Sequence, residues 1–188
     1  MKINKKLILA SKSPRRYDLL KDYFEDIQVE TNNVVERYTA VLPEDIVMEL
    51  ASIKLLGIKD KYYNNIAISG DTIVWYNGRV YGKPKDKEDA VNMLKELSGK
   101  CHQVYSGFAV AYQGRVVLGY DVSKIIFKDL TDEIINDYIA TGSPLDKAGG
   151  YGIQDGVVVD SYTGDINTII GLPLDKIIKV CKELITNE

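Results

Sequence analysis

Two four-residue apolar runs narrow the possible folds of this chain more than any of its other features. Leu7–Ala10 and Ile66–Ser69 are each too short for a buried helix and are typical of strands covered on both faces. The first predicts a strand over Lys5–Ala10, and the second predicts a strand that ends at Gly70-Asp71. Helical patterns alternate with these strand patterns, which predicts an α/β protein.

The remaining elements support a mixed sheet with flanking helices. Asn77-Gly78 and Gln113-Gly114 are typical of tight hairpin turns, so the strands beside them are antiparallel. The predicted helices run from Pro14 to about Phe24, from Pro43, from Lys85 to Leu97, from Thr131 and from about Pro173 to Ile185. The other predicted strands are Gln28–Val35, Thr72–Tyr76, Arg79–Tyr81, Val104–Tyr112, Val116–Phe127 and Val157–Tyr162.

Length and charge limit the organisation and the partners. The 188 residues suit one domain over residues 1–188, with two lobes around a cleft. There are 24 Lys and Arg against 27 Asp and Glu, giving a net charge of −3. Because a basic excess is missing, we expect no binding to a nucleic acid polymer, whereas a few local cations still suit a small anion.

Several further patterns exclude classes of protein. No apolar stretch approaches the ~20 residues of a membrane span, and the polar start does not resemble a signal peptide. Cys101 and Cys181 form no CxxC pair, so neither a disulfide framework nor a metal-thiolate site is indicated. We therefore expect a cytoplasmic protein. With His102 as the single histidine, carboxylates are better candidates for a base and for metal ligands.

The segment after the first strand is suited to an anion. Ser13 and Pro14 form a helix start signal, with Ser13 as the N-cap, and helix starts present free N–H groups. Arg15 and Arg16 lie in the first turn, where the helix dipole disfavours cations unless an anion is bound. Ser11 is a further candidate contact. In the alternative interpretation both arginines point into solvent and the loop is only a turn.

A second candidate site follows the Ile66–Ser69 strand. Ligands bind at the carboxyl ends of strands in open α/β sheets, which places Asp71 and Thr72 favourably. The alternative is an aspartate that satisfies its own turn. Four other charged residues are candidates for phosphate or metal contacts, although solvated surface positions are an equally open interpretation for them. They are Glu36, Lys54, Lys83 and Lys147.

Taken in order, these segments resemble the Maf family of nucleotide pyrophosphatases over nearly the whole chain. The matching segments are Leu9-Ala10-Ser11-Lys12-Ser13-Pro14-Arg15-Arg16, Gly70-Asp71-Thr72-Ile73-Val74, Gly82-Lys83-Pro84, Leu97-Ser98-Gly99, His102-Gln103-Val104, Leu145 to Gln154 and Gly171-Leu172-Pro173-Leu174. Several ordered motifs of this length make a chance match improbable.

The resemblance implies a fold like that of inosine triphosphate pyrophosphatases and hydrolysis of nucleoside triphosphates to the monophosphate and pyrophosphate. It implies a divalent cation, Mg or Mn, for which Glu36 and Asp71 are the candidate ligands, with Asp71 also the proton acceptor. Arg15, Thr72 and Gln154 match positions linked to base selectivity and resemble the branch acting on dTTP and UTP. A homodimer is a further family-level expectation.

Two departures and two alternatives accompany this resemblance. The family more often has Gly-Ala-Asp-Thr where this chain has Ser69-Gly70-Asp71-Thr72. It commonly has asparagine at the position of Thr168, and in this chain Asn167 lies beside that position. The first alternative function is a nucleotide-binding regulator of septum formation with little turnover. The second is a pyrophosphatase that prefers modified purine nucleotides.

Overall fold

The computed structural model describes residues 2–31 and 33–186, and within them it confirms the predicted α/β class. The strands are β1 (Leu7–Ala10), β2 (Ile27–Val29), β3 (Ile66–Tyr76), β4 (Arg79–Tyr81), β5 (Cys101–Tyr112), β6 (Arg115–Phe127) and β7 (Val159–Thr163). The helices are α1 (Pro14–Leu20), α2 (Pro43–Leu56), α3 (Lys87–Leu97), α4 (Asp132–Ala140), α5 (Ile166–Ile170) and α6 (Leu174–Thr186). Short 3-10 turns connect several of them.

The strands form a mixed sheet, as predicted. Their order is β2-β1-β3-β5-β6-β7, with β4 paired to β3. β1 is parallel to both β2 and β3, whereas β4 is antiparallel to β3 and β7 to β6. Both predicted hairpin turns have positive φ angles, 49° and 74° at Asn77-Gly78 and 49° and 77° at Gln113-Gly114, as a type I′ turn requires.

By their internal contacts, the described residues form two compact units. The first comprises the chain up to Asp71, Ser106–Asp121 and the chain from Gly171 onward. The second comprises Thr72–Tyr105 and Val122–Ile170. The organisation of residues 1–188 as one domain around a cleft stays a prediction.

The first unit buries both faces of β1, which explains its unbroken apolar sequence. Leu7 and Leu9 belong to a core cluster that includes Phe24 and residues of α6. Ile8 and Ala10 point the other way, into a cluster with residues of α2. Successive side chains alternate between the faces of a strand, so a strand covered on both sides needs apolar residues throughout.

The second unit has its own core, in which α3 contributes a buried stripe of Ala90, Leu94 and Leu97. Asp86 caps this helix by accepting a hydrogen bond from the N–H of Asp89. Residues of β5, β6 and α4 complete the cluster.

The prediction that a strand ends at Gly70-Asp71 is wrong. β3 continues through these residues to Tyr76, so Asp71 lies in the middle of an 11-residue strand. Gly70 serves close packing here, since a Cβ at this position would lie 2.6 Å from Cδ2 of Leu172 and 3.3 Å from Nε of Arg16. A glycine before an aspartate is typical of a turn in sequence, but here the missing side chain leaves space for the side chains of Leu172 and Arg16.

Two helices differ from their predicted extents. α1 ends at Leu20 and not at about Phe24, because the next residues pair with Ile3. The N–H of Ile3 donates to the carbonyl of Tyr23 at 2.8 Å, and Ile3 and Phe24 form an isolated parallel β-bridge. α5 was not predicted, since five residues are too few for a helical periodicity. Among the helices of the described residues, none has both the length and the apolar content needed to cross a bilayer.

His102 lies in the core of the second unit and is 2% exposed. Its Nε2 lies 2.7 Å from the hydroxyl of Tyr151, and its ring packs edge-on against Phe127 at a centroid distance of 4.8 Å. Nδ1 is buried and, among the described residues, has no hydrogen-bond partner. Burial lowers the pKa of His102 to about 4, so the folded protein holds this ring neutral.

We expect the free energy of unfolding to fall as the pH falls, because the unfolded chain binds a proton at His102 before the folded chain does. With a pKa of 6.5 unfolded and about 4 folded, the loss between pH 7 and pH 5 is about 2 kcal/mol. His102→Gln should flatten this dependence. Urea unfolding of both proteins at the two pH values measures it, and parallel losses of stability would contradict the assignment to His102.

Glu49 on α2 holds the irregular segment that connects β2 to α2. Its carboxylate accepts hydrogen bonds from the N–H of Ala40 at 2.9 Å and from the N–H and hydroxyl of Thr39 at 3.1 and 3.3 Å. The N–H groups of Ala40 and then Thr39 lower the pKa of Glu49. This contact matters for the site, since the same segment carries Glu36.

Glu49→Gln should loosen the segment, because an amide offers one acceptor oxygen where the carboxylate offers two. We expect amide hydrogen exchange at Thr39 and Ala40 to become about tenfold faster. Exchange followed by mass spectrometry or NMR measures this. Glu44→Gln on the same helix is the control, since within the described residues its carboxylate accepts no hydrogen bond from the segment, and equal acceleration in both variants would refute the role of Glu49.

Candidate functional site

Ser11 organises the loop between β1 and α1. Its buried hydroxyl oxygen accepts hydrogen bonds from the N–H of Ser13 and from Nη1 of Arg16, each at 3.2 Å. Ser13 has the extended backbone of an N-cap residue, but its hydroxyl accepts no hydrogen bond from the helix. The predicted N-cap position at Ser13 is therefore confirmed, whereas the side-chain acceptor in this loop is the hydroxyl of Ser11.

Arg16 connects the start of α1 to the beginning of the Gly171-Leu172-Pro173 motif. Its Nε donates a hydrogen bond to the carbonyl of Gly171 at 2.9 Å. Burial lowers the pKa of the Arg16 guanidinium, and the Asp71 carboxylate opposes this effect. The guanidinium remains charged, so it brings positive charge to the helix start near Asp71. Arg15, beside it, is partly exposed.

Lys54 links the two predicted metal ligands. Its ammonium lies 2.5 Å from Oδ1 of Asp71 and 3.4 Å from Oε2 of Glu36. The Asp71 and Lys54 side chains are only 12% and 17% exposed, whereas the Glu36 side chain is 50% exposed. Lys54 and Asp71 thus form a largely buried ion pair, and Lys54 also contacts the carboxylate of Glu36, which lies on a more exposed segment.

The fold places Lys54 opposite Asp71 through one buried hydrogen bond. The Ser69 hydroxyl on β3 donates to the carbonyl of Ala51 on α2 at 2.6 Å. Asp71 lies two residues beyond Ser69, on the same face of the strand, and Lys54 lies three residues beyond Ala51, on the same side of the helix. The strand and helix periodicities therefore bring the carboxylate and the ammonium together.

The carboxylates suit a hard divalent cation. Within the described part of the chain, no three His, Cys, Asp or Glu side chains are grouped as a complete metal site. Glu36 and Asp71 nevertheless share one positive charge, which shows that their oxygens converge on one region. Mg²⁺ is commonly held by one or two carboxylates together with phosphates and water, so this pair fits such an ion.

Four of the predicted substrate contacts lie in the second unit. Thr72 follows Asp71 on β3, and Lys83 is exposed beside Gly82, whose carbonyl accepts a hydrogen bond from the N–H of Gly149 at 3.0 Å. The ammonium of Lys147 donates to the carbonyl and hydroxyl of Ser143 and to Asp146, at 2.6, 2.9 and 2.8 Å.

Gln154 is exposed on the 3-10 turn Ile153–Asp155. Thr168, at the position where the family commonly has asparagine, is completely buried in α5.

Six of the predicted site residues thus lie in the first unit and four in the second. In the first unit, Arg16 at the start of α1 lies beside Gly70 in the middle of β3. The first group is Ser11, Arg15, Arg16, Lys54 and Asp71, with Glu36 as the additional candidate metal ligand. That both groups contact one nucleotide stays a prediction.

Sequence reasoning missed residues that support the second group. The Tyr138 hydroxyl donates to Asp155 at 2.6 Å and accepts from the N–H of Gly152 at 2.9 Å. Tyr138 lies in the buried stripe of α4 with Ile135 and Ile139, so its helical spacing indicated only a core position. The buried hydroxyl, which needs a partner, was the available signal.

Comparisons with known proteins show the family of the chain. The family model described as Maf-like protein matches residues 6–184. A dTTP/UTP pyrophosphatase of Thermosipho melanesiensis is 42% identical over 173 residues, covering 91% of this chain and 93% of that protein. A dTTP/UTP pyrophosphatase of Pyrococcus furiosus is 41% identical over 179 residues, 94% of each chain.

Among solved structures, the Staphylococcus aureus Ham1 protein matches with a TM-score of 0.48 at 16% identity, covering 66% of this chain and 73% of that one. The family match extends over nearly the whole sequence and includes every candidate site residue. The chain therefore belongs to the Maf-like protein family.

Proposed function

We propose that this chain hydrolyses dTTP and UTP to the nucleoside monophosphate and pyrophosphate. The ion pair of Lys54 with Asp71, shared with Glu36 and lying near the helix start that carries Arg16, is the observation that supports this most. The Thermosipho and Pyrococcus relatives, both dTTP/UTP pyrophosphatases, supply the substrate class. The cytoplasmic setting and the homodimer remain part of the proposal.

The start of α1 receives part of the triphosphate. Both acceptor positions of the Ser11 hydroxyl are used by Ser13 and Arg16, so toward a phosphate oxygen this hydroxyl acts as a donor. Arg15 supplies a guanidinium whose paired N–H groups match phosphate oxygens. Lys83 and Lys147 contribute further positive charge, and Lys147 exchanges one of its three present acceptors for phosphate when it does so.

Asp71 accepts the proton of the attacking water. The Lys54 ammonium contacts Oδ1 of Asp71 at 2.5 Å, and the carboxylate it orients can position water and take the proton. The water oxygen forms a bond to the α-phosphorus, and the bond from that phosphorus to the bridging oxygen breaks. Pyrophosphate leaves with the electron pair of this bond, and the cationic side chains stabilise its charge.

Glu36 and Asp71 are the residues that would hold a divalent cation, Mg or Mn. When bound, such a cation polarises a phosphoryl oxygen and offsets negative charge. Lys54 contacts the same carboxylates, so it keeps them close together before substrate and cation arrive.

Gln154, Arg15 and Thr72 select the base. A glutamine amide both donates and accepts hydrogen bonds, which matches the alternating donor and acceptor groups at the edge of uracil or thymine. The exposed position of Gln154 on its turn leaves this amide accessible. A purine presents a larger and different edge, so this arrangement favours a pyrimidine.

A panel of triphosphates tests the proposed function. The purified protein with MgCl₂ or MnCl₂ should convert UTP and dTTP to UMP and dTMP with equal amounts of pyrophosphate, measured by chromatography and a pyrophosphate assay. Products of diphosphate and inorganic phosphate would refute cleavage at the α-phosphorus. Nucleotide binding without pyrophosphate release across canonical and modified triphosphates would favour the septum regulator, and preference for modified purines would favour the other alternative.

Asp71→Asn should reduce kcat for UTP by at least ~10²-fold, because the amide keeps the shape of the side chain but accepts no proton. Asp26→Asn is the matched control, since Asp26 is an exposed aspartate of the same unit paired with Lys6 at 3.9 Å. Steady-state kinetics of both variants, with thermal unfolding to verify folding, measure the effect. Near-normal turnover by Asp71→Asn would remove Asp71 from the mechanism.

A further inference from the structure

The turn that carries Gln154 is fixed at both ends by one hydroxyl group. The Tyr138 hydroxyl accepts a hydrogen bond from the N–H of Gly152, just before the turn, at 2.9 Å. It donates to Oδ2 of Asp155, the last residue of the turn, at 2.6 Å. Gln154 lies between these two contacts, one to the backbone of Gly152 and one to the side chain of Asp155, so the turn is bonded to α4 on both sides of Gln154.

The same carboxylate extends this network to Lys147. Oδ2 of Asp155 also accepts a hydrogen bond from the Ser143 hydroxyl at 2.7 Å. The carbonyl and hydroxyl oxygens of Ser143 in turn accept from the ammonium of Lys147, at 2.6 and 2.9 Å. An unbroken series of hydrogen bonds therefore connects the turn of Gln154 with the ammonium of Lys147.

Close packing supports this connection independently. A Cβ at Gly152 would lie 2.8 Å from Cε of Lys147 and 3.2 Å from Oδ2 of Asp155, so the lysine stem and the carboxylate both press on this backbone. The Lys147 side chain is only 13% exposed. Glycine at this position lets the lysine and the turn approach each other.

The hydroxyl at the centre of the network remains protonated. Tyr138 is 3% exposed, and burial raises the pKa of its hydroxyl well above the ordinary value, with its hydrogen bond to Asp155 as the next cause. It therefore stays a donor to the carboxylate at any pH at which the protein is studied. A buried hydroxyl with both a donor and an acceptor partner has one orientation, which makes it a rigid support.

We propose that Tyr138 and Asp155 are positioning residues that set the base selectivity of the site by fixing Gln154 relative to Lys147. This inference rests on the proposed function, in which Gln154 and Lys147 contact the nucleotide. Neither Tyr138 nor Asp155 is assigned a contact with substrate. An amide distinguishes uracil from cytosine only if its donor and acceptor are held in place, because at two adjacent edge positions uracil presents a donor and an acceptor where cytosine presents an acceptor and a donor.

The test compares UTP with CTP in four proteins: wild type, Tyr138→Phe, Asp155→Ala and Asp155→Asn. Tyr138→Phe removes both contacts of the turn, and we expect the ratio of kcat/KM for UTP over CTP to fall about tenfold. Asp155→Ala should lower it similarly. Asp155→Asn should retain most of the ratio, because its amide oxygen still accepts from Tyr138 and Ser143. Tyr162→Phe, on an exposed tyrosine of β7, is the control.

A purely structural role would lower the activity with both nucleotides equally. An unchanged UTP/CTP ratio in Tyr138→Phe, with or without a reduced melting temperature, would therefore overturn the inference. A ratio that falls equally in Asp155→Asn and Asp155→Ala would overturn the role of the hydrogen bonds to that carboxylate.

Equilibrium binding of UMP and CMP measures the same selectivity without turnover. If the wild type releases no pyrophosphate from any triphosphate, the proposed function fails. The inference still holds in that case if the wild type prefers UMP and Tyr138→Phe loses this preference about tenfold. Equal binding of UMP and CMP by the wild type would overturn it.

Discussion

The candidate site in the first unit depends on the ion pairs that the ammonium of Lys54 forms with Asp71 and Glu36. Two carboxylates that converge on one region repel each other, and the positive charge offsets this repulsion. The pair is largely buried, so removing one partner would leave a poorly solvated charge. The hydrogen bond from Ser69 to Ala51 fixes the register of strand and helix that maintains this contact.

Much of the fold followed from local patterns in the sequence. The Leu7–Ala10 run, the Pro14 helix start and the two hairpin turns depend on residues close together in the chain, and the structure has all of them. The continuation of β3 through Gly70 depends instead on Leu172, which lies a hundred residues further along the sequence and packs against the glycine. A single sequence does not show that contact, so the glycine resembled a turn.

The site shows the same division between local and distant information. The candidate role of the segment around Ser11 and Arg16 followed from a strand, a loop and a helix start that are adjacent in sequence. The support of Gln154 by Tyr138 did not, because the helical spacing of a buried tyrosine is the spacing of any core residue. What distinguishes Tyr138 is where its hydroxyl finds partners, and those partners are set by the tertiary packing of short turns.

Asp71 and Glu36 are not equivalent, although both contact Lys54. Asp71 lies in a central strand with a side chain that is 12% exposed, so its position is determined by the sheet. Glu36 is 50% exposed on an irregular segment that Glu49 holds a few residues away. A general base must be fixed relative to the reacting atoms, whereas a cation ligand must adjust as phosphate oxygens and water complete the coordination. In the proposed mechanism, the fixed position of Asp71 therefore suits proton transfer in addition to cation binding, whereas the more exposed Glu36 suits cation binding alone.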